Sequence, residues 1–408
     1  MPTDKLTPIL HQRLAELADS GRLKGAESVT RAVVPPSGEK GPRFLIEGCG
    51  DTQFLRMNSN SYLGLSFDAR VSAAEDEAVR RYGTGPGAVR FISGTWAPHV
   101  ALERRLAQFH SREATMLFSS AYATVMGTLP PLITPRTAVI SDELNHSCII
   151  NAIALARPGD KRVYAHLDLE DMERCINLVA GTCARAILVT DGVFSMRGDH
   201  APLDKIMKIA SAYNADFEEN LVVVVDDSHG VGAFGATGRG TEEVTGCEGV
   251  DLLVGTLGKA FGVNGGYVTA SDTIVNYLRE TSPFYVYSNP ITPAEAEAAH
   301  VAVDRIDSEH GRAALAHLRT LTARFREGIS RLGLETVSGE HPVVPLLVRD
   351  TERTRRLVAH LRENAILATG LNYPVVPKGQ EEIRFQISAD HTTGDIDGAL
   401  DVLARFAP

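Results

Sequence analysis

The chain has 408 residues and a formal net charge of −10, with 44% hydrophobic and 23% charged residues. This composition is typical of a soluble folded protein and excludes a disordered chain or a fibre. The length exceeds one ordinary hydrophobic core, so two or three domains are expected. The acidic excess argues against a nucleic-acid partner and against an anionic membrane surface.

The cysteines and the apolar runs indicate a reducing compartment. Five cysteines lie far apart, without the paired spacing of a disulfide scaffold or a structural zinc site: Cys49, Cys148, Cys175, Cys183 and Cys247. The first ten residues show no apolar core of a secretory signal, and the longest apolar runs are far shorter than a membrane span. We therefore expect a cytoplasmic protein with no membrane partner.

The chain begins with a helical pattern. Residues 8–22 carry apolar side chains at helical spacing, which predicts a helix within an N-terminal arm over residues 1–53. From about residue 54, short β-rich runs alternate with helical stretches such as 169–179 and 203–213. The predicted strands are 138–141, 186–190, 221–225, 252–255 and 266–269. This alternation predicts an α/β domain over residues 54–291, with a mostly parallel central sheet and helices on both faces.

The last part of the chain has a different pattern. A long amphipathic helix is predicted over residues 294–332, followed by strands at 343–348 and 383–388 around a helix at 351–363. This predicts a smaller α+β domain over residues 292–408.

Polar side chains follow four of the five predicted strands, 138–141, 186–190, 221–225 and 252–255. Ligands of open α/β sheets bind outside the carboxyl ends of the strands, so these side chains are expected to form one site. They are Asp142, Asn145, His146, Asp191, Ser195, Asp226, Asp227, Ser228, His229, Thr256 and Lys259.

Asp226 and Lys259 are the most informative of these residues. An aspartate directly after four valines enters a region of low dielectric and needs a cationic partner, such as a protonated pyridine nitrogen. A lysine among glycines and apolar residues loses solvation, so that its amine can act as a nucleophile. A Schiff-base lysine together with an acid for a pyridinium nitrogen is what pyridoxal 5′-phosphate (PLP) chemistry requires. A capping aspartate and a surface lysine remain the alternatives.

Glycine-rich and hydroxyl-rich segments allow two kinds of phosphate site. The segment 119–122 precedes a predicted helix and is suited to an anion, although two serines there also serve as an ordinary cap. The segment 230–235 fits G-x-G-x-x-G after a strand, which leaves a nicotinamide-dependent oxidoreductase as a rival hypothesis. Residues 236–249 show no apolar helical face, which argues against that rival. The histidines lack metal-ligand spacing, so no metal is expected.

The motifs in combination resemble the α-oxoamine synthases, which are PLP-dependent acyltransferases of fold type I. Within that family the likeness is nearest to the 2-amino-3-ketobutyrate CoA ligases, also called glycine C-acetyltransferases. The residues that carry the resemblance are Asn60–Leu65, Gly83–Thr95, His99, Leu102, Glu103, Ser141–His146, Thr190–Met196, Val225–Gly230, Gly255–Ala260 and Arg384.

The resemblance implies a role for each matching residue. Lys259 would bind PLP covalently and transfer the substrate Cα proton, Asp226 would pair with the ring nitrogen, and His146 would stack on the ring. The phenolic oxygen would be bound by His229 and Ser195. The remaining implied cofactor contacts are Ser120, Ala121, Tyr122 and Thr256, with Ser288 and Asn289 reaching from the other subunit of a homodimer with a shared active site. The implied substrate contacts are Asn60 and Arg384, the latter for the amino-acid carboxylate.

The implied reaction joins an amino acid to an acyl-CoA thioester and releases CoA, usually with decarboxylation. Glycine with an acetyl-CoA-like thioester is the first expected pair. Arg197, which replaces an acidic residue of the ketobutyrate ligases, and the altered loop 261–265 make a different amino acid or acyl group an alternative. An aminotransferase of the same fold type and a non-catalytic scaffold are further alternatives.

Overall fold

The computed structural model describes residues 2–20, 22–23, 27–373 and 375–406. Its strands, in chain order, are Thr30–Val34 (β1), Arg43–Ile46 (β2), Gln53–Arg56 (β3), Ala114–Phe118 (β4), Thr137–Asp142 (β5), Asp160–Tyr164 (β6), Arg185–Asp191 (β7), Leu221–Asp226 (β8), Leu252–Thr256 (β9), Gly266–Ala270 (β10), Glu335–Thr336 (β11), Val343–Leu347 (β12), Ile366–Leu367 (β13), Thr369–Leu371 (β14) and Glu382–Gln386 (β15). Its α-helices are Leu6–Asp19 (α1), Ala69–Tyr82 (α2), Ala97–Phe109 (α3), Ala121–Leu132 (α4), Ser147–Ala156 (α5), Leu169–Val179 (α6), Leu203–Tyr213 (α7), Thr241–Thr245 (α8), Asp272–Thr281 (α9), Pro283–Val286 (α10), Pro293–Ile306 (α11), Glu309–Arg331 (α12), Thr351–Glu363 (α13) and Thr393–Ala404 (α14). Residue 21 of the predicted N-terminal helix lies outside the described residues.

Seven strands form the central sheet in the order β4-β10-β9-β8-β7-β5-β6. Strands β5 to β9 pair in parallel with one another, whereas β10 is antiparallel to both β4 and β9. Strands β5, β7, β8 and β9 are almost fully buried apolar runs, as a sheet covered by helices requires. The predicted α/β fold with a mostly parallel sheet is confirmed.

The predicted strands end one residue too early. Each of the five extends by one residue at its carboxyl end, so Asp142, Asp191 and Asp226 are the last residues of their strands. Asp191 and Asp226 are register partners on the neighbouring strands β7 and β8. The hydrogen-bonded pairing of β7 and β8 therefore places two carboxylates side by side at the carboxyl ends of these strands, where ligands are expected.

The long helix predicted over residues 294–332 is wrong, because the structure has α11 and α12 there. The Ser308 hydroxyl accepts the N–H of Gly311 and donates to the carbonyl of Arg305, so this serine ends one helix and caps the next. Asp307 accepts from Arg105 and Arg239 at the break.

The chain forms two compact units, each discontinuous in sequence. One unit contains the chain up to Ser59, Leu321–Ser338 and the chain from Val343 on; the other contains Asn60–Thr320 and Gly339–Pro342. The second unit holds the seven-stranded sheet. The division into domains 1–53, 54–291 and 292–408 stays a prediction.

The unit with both chain ends contains two small four-stranded sheets, β1-β2-β3-β13 and β11-β12-β15-β14. A buried ion pair between Arg43 and Asp395 joins β2 to the start of α14, and Asp395 also accepts the N–H of Gly41. Every described helix in the molecule is too short or too polar to span a lipid bilayer.

Candidate active site

One cavity is lined by most of the residues expected at the strand ends. Its walls come from the carboxyl ends of β7 and β8, the first turns of α4 and α5, and the loop after β9. The lining residues are Ala121, Tyr122, His146, Cys148, Asp191, Val193, Ser195, Asp226, Ser228, His229 and Lys259. Of the residues expected at the strand ends, the cavity brings together Lys259, Asp226, His146, His229, Ser195, Asp191 and Ser228. It adds Cys148 and Val193, which the sequence did not single out.

Asp226 lies at the buried end of this cavity, with 7% of its surface exposed. Its Oδ1 accepts the backbone N–H and the hydroxyl of Ser228, at 3.1 and 2.5 Å. Its Oδ2 lies 3.6 Å from the Cys148 sulfur. Donors on both oxygens stabilise an ionised carboxylate, which is the state that a protonated ring nitrogen would need.

Asp191 is a second buried carboxylate beside Asp226. Burial, and then the negative charge of Asp226, raise the pKa of Asp191 well above its usual range. Its Oδ2 accepts the backbone N–H of His146 at 3.1 Å, and its own N–H donates to the side chain of Asn145. Asp191 therefore joins the carboxyl end of β7 to the loop that carries His146.

Asn145 fixes that loop from the other side. Its amide group donates to the Ser141 hydroxyl and to the Val189 carbonyl, at 2.9 and 2.8 Å. The satisfied amide joins the ends of β5 and β7 and places His146, the N-cap residue of α5, at the cavity. The His146 side chain is exposed on one side, as a group that stacks on a bound ring must be.

His229 depends on Tyr62, which sequence reasoning left without a role. The Tyr62 hydroxyl is 2.7 Å from His229 Nδ1 and 3.4 Å from the side-chain oxygen of Asn60. Nε2 of His341 donates to the His229 carbonyl at 2.9 Å. The Tyr62 hydroxyl occupies Nδ1, which leaves Nε2 of His229 as the ring nitrogen that can bind an oxygen. Tyr62 lies inside the motif Asn60–Leu65, and its place in that motif was the sequence signal that could have identified it as a site residue.

Lys259 is held by a tightly folded loop. The N–H groups of Gly262 and Val263 donate to the carbonyls of Lys259 and Leu257. Gly262 has φ +73°, and a Cβ there would lie 2.3 Å from the N atom of Ser66, so only glycine fits. The half-buried Lys259 is therefore presented to the cavity by a loop with little freedom.

The N-terminus of α4 forms another wall. The Ser120 hydroxyl accepts the N–H of Ala123 as its cap, while helix geometry directs the first N–H groups, those of Ala121 and Tyr122, outward toward a ligand. Thr256 donates to the carbonyl of Gly265 and accepts the N–H of Gly258 at the start of the lysine loop. Ser120 and Thr256 therefore shape the local backbone.

The structure gives less support to the roles predicted for Ser288, Asn289 and Arg384. Ser288 and Asn289 follow α10, and Asn289 is exposed. Arg384 lies on β15 in the unit that contains the chain ends, between Pro345 and Thr369. The roles implied for these three residues stay predictions.

Arg197, the substitution that suggested a different substrate, is paired. Its guanidinium donates to Asp199 at 2.7 Å, and His166 bridges Asp199 and Asp142 at 3.2 and 3.1 Å. Burial lowers the pKa of His166, but the hydrogen bonds and charges of the two aspartates outweigh it and raise that pKa to about 9. This network joins the ends of β5 and β6 to the segment that carries Ser195.

The His166 network predicts a specific pH dependence of stability. The folded pKa lies above the unfolded value near 6.5, so the stabilisation is complete below about pH 6.5 and is lost as pH rises through about 9. Relative to His166→Gln, the wild-type free energy of unfolding should fall by up to about 3 kcal/mol across this window. Urea unfolding at several pH values measures the difference, and parallel curves for the two proteins would contradict it.

Gly230, the first glycine of segment 230–235, packs against a buried side chain. A Cβ on Gly230 would lie 2.1 Å from Oδ1 of Asp227, and a Cβ on Gly192 or Gly240 would come as close to the same carboxylate. Asp227 accepts the N–H and hydroxyl of Thr241, and burial raises its pKa to about 7. The five-residue α8 is the next helix after these glycines, so the dinucleotide fingerprint lacks the helix that it needs.

These features fit PLP. The first turn of α4 suits a phosphate, Asp226 suits a protonated ring nitrogen, and His229 Nε2 suits a phenolic oxygen. Lys259 supplies the amine, and all four groups line one cavity.

The comparisons with known proteins agree with this chemistry. The family model for aminotransferase class I and II matches residues 52–403. The chain is 36% identical to the 8-amino-7-oxononanoate synthase of Thermosipho melanesiensis, covering 95% of both chains. It is 38% identical to 8-amino-7-oxononanoate synthase 1 of Bacillus velezensis, over 90% of this chain and 91% of that one.

A solved structure of the Sphingomonas wittichii serine palmitoyltransferase superposes with a TM-score of 0.87 at 25% identity, covering 98% of this chain and 97% of the other. The two sequence relatives are named as 8-amino-7-oxononanoate synthases, so the narrower likeness to the ketobutyrate ligases stays a prediction. The chain belongs to the aminotransferase class I and II family and, within it, to the PLP-dependent α-oxoamine synthases, the acyltransferases that condense an amino acid with an acyl-CoA thioester.

Proposed function

We propose that Lys259, Asp226, His146 and His229 form the catalytic centre of this condensation. The observation that carries the proposal is that all four side chains line the same cavity as the N-terminus of α4. Bound PLP supplies an electron-withdrawing ring that stabilises negative charge at the substrate Cα. Lys259 then removes and returns the Cα proton, and Asp226 keeps a positive charge on the ring nitrogen.

The surrounding residues orient these groups. Nε2 of His229 would bind the phenolic oxygen, with Ser195 beside it, and the exposed His146 would cover the ring. Ser120, Ala121, Tyr122 and Thr256 surround the phosphate, while Asn60 and Arg384 bind the amino acid. The motifs support each assignment, and for Asn60 so does its contact with Tyr62, which reaches His229.

We propose L-alanine and pimeloyl-CoA as the substrate pair, following the names of the relatives that match most of the chain. Glycine with acetyl-CoA is the alternative that the sequence motifs favoured. Arg197 forms an ion pair with Asp199, which neutralises its charge. This pairing supports a substrate site to which Arg197 adds no net positive charge.

A panel of amino acids and acyl-CoA thioesters tests the proposal. Alanine with pimeloyl-CoA should release free CoA, measured with a thiol reagent, faster than any other pair. Faster release with glycine and acetyl-CoA would transfer the function to the alternative pair. Amino transfer to a 2-oxo acid without CoA release would identify an aminotransferase instead.

We propose further that the active unit is a homodimer in which Ser288 and Asn289 reach the partner's phosphate site. The neighbouring Tyr287 is 79% exposed, and Phe91 and Ile92 are 65% and 64% exposed, which favours a partner surface. Light scattering measures the oligomeric state.

Complementation tests the shared site. Ser288→Asp, which places a negative charge at the phosphate, and Lys259→Ala should each be inactive alone. Mixed after reversible dissociation, they should recover activity at up to about a quarter of the sites, because half of the dimers are mixed and each has one intact site. No recovery in mixed dimers would contradict sharing.

A further inference from the structure

Cys148 lies between two groups that face the cofactor in the proposed function. It is the second residue of α5 and is buried, with 2% of its surface exposed. Its sulfur is 2.9 Å from Nδ1 of His146 and 3.6 Å from Oδ2 of Asp226. The thiol is therefore placed against both the stacking imidazole and the carboxylate of the ring nitrogen.

The surroundings keep this sulfur protonated. Burial, and then the negative charges of Asp226 and Asp191, raise the pKa of the Cys148 thiol far above its usual range. A thiolate is thus excluded as a nucleophile, and the group acts as an S–H donor.

The direction of the S–H follows from the bonding capacity of His146. Burial is the largest influence on the pKa of His146 and lowers it, which favours the neutral ring. The Nδ1 lone pair of that ring already accepts the backbone N–H of Cys148 at 3.2 Å. An imidazole nitrogen has a single lone pair, and the Cys148 sulfur is a donor to Oδ2 of Asp226 at 3.6 Å.

We propose that Cys148 is a positioning residue. It donates its S–H to Asp226 and holds the His146 ring in place through the contact with Nδ1. The inference rests on the proposed function, because it takes the roles of Asp226 and His146 from there. Through this contact the thiol adds a third donor to the carboxylate, beside the two from Ser228. It thereby favours the ionised carboxylate that a protonated ring nitrogen pairs with.

The test compares Cys148→Ala, which removes the donor, with Cys148→Ser, which keeps one. The buried Cys175 on α6, also 2% exposed, gives the matched control Cys175→Ala. The readouts are the PLP dissociation constant of each apoenzyme and the pH titration of the visible absorbance of the holoenzyme. Circular dichroism confirms that each variant is folded.

We expect Cys148→Ala to bind PLP about three- to tenfold more weakly and to titrate at a shifted pH, while Cys148→Ser and Cys175→Ala stay within about twofold of wild type. Equal losses in Cys148→Ala and Cys148→Ser would overturn the donor role, as would a Cys148→Ala variant that behaves like wild type. If the wild-type protein itself binds no PLP, the proposed function fails as well; if it binds PLP and only the variants disagree, the inference alone fails.

Discussion

Replacing Lys259 by alanine should lower kcat/KM for CoA release by at least about 10³-fold, because the amine that binds the cofactor and moves the Cα proton is lost. Borohydride should reduce the wild-type lysine–cofactor bond and leave a stable label on this residue alone. The variant should bind PLP without that label.

The matched control is Lys208→Ala, on the exposed face of α7. It should keep full activity and the same labelling. A Lys259→Ala variant that retains activity would refute the catalytic assignment of this lysine.

Asp226→Asn should lower kcat about 10²- to 10³-fold, since an amide cannot hold the positive charge on the ring nitrogen in a buried site. The side-chain volume is kept, and the Ser228 hydroxyl can still hydrogen-bond to the amide oxygen. The visible spectrum of the holoenzyme should shift, because the protonation state of the ring changes.

Asp227→Asn separates this electrostatic effect from a structural one. Asp227 is fully buried, but it bonds to Thr241 and packs against glycines instead of lining the cavity. We expect this variant to lose stability in thermal unfolding and to keep the wild-type spectrum. Identical spectra for Asp226→Asn and wild type would contradict the ring-nitrogen assignment.

Local sequence patterns predicted the parts of the fold that depend on local physics. Buried β-branched runs predicted β5, β7, β8, β9 and β10, each to within one residue at its carboxyl end. Amphipathic spacing predicted α6, α7 and α13 with their observed bounds. The break between α11 and α12 was missed, since Ser308 reads as an ordinary helix residue until its hydroxyl is seen to cap α12.

The site chemistry could be inferred from the residues alone, because Lys259, Asp226 and His146 follow strands whose ends converge in a parallel sheet. The family followed from the resemblance of the motifs. The contacts that support these side chains became visible only in the folded chain. Contacts between residues far apart in the chain, such as Tyr62 with His229 and Asn145 with Val189, leave no periodic pattern. The pairing of Asp199 with both Arg197 and His166 is of the same kind, because the sequence shows where a charge is but the packing decides which group neutralises it.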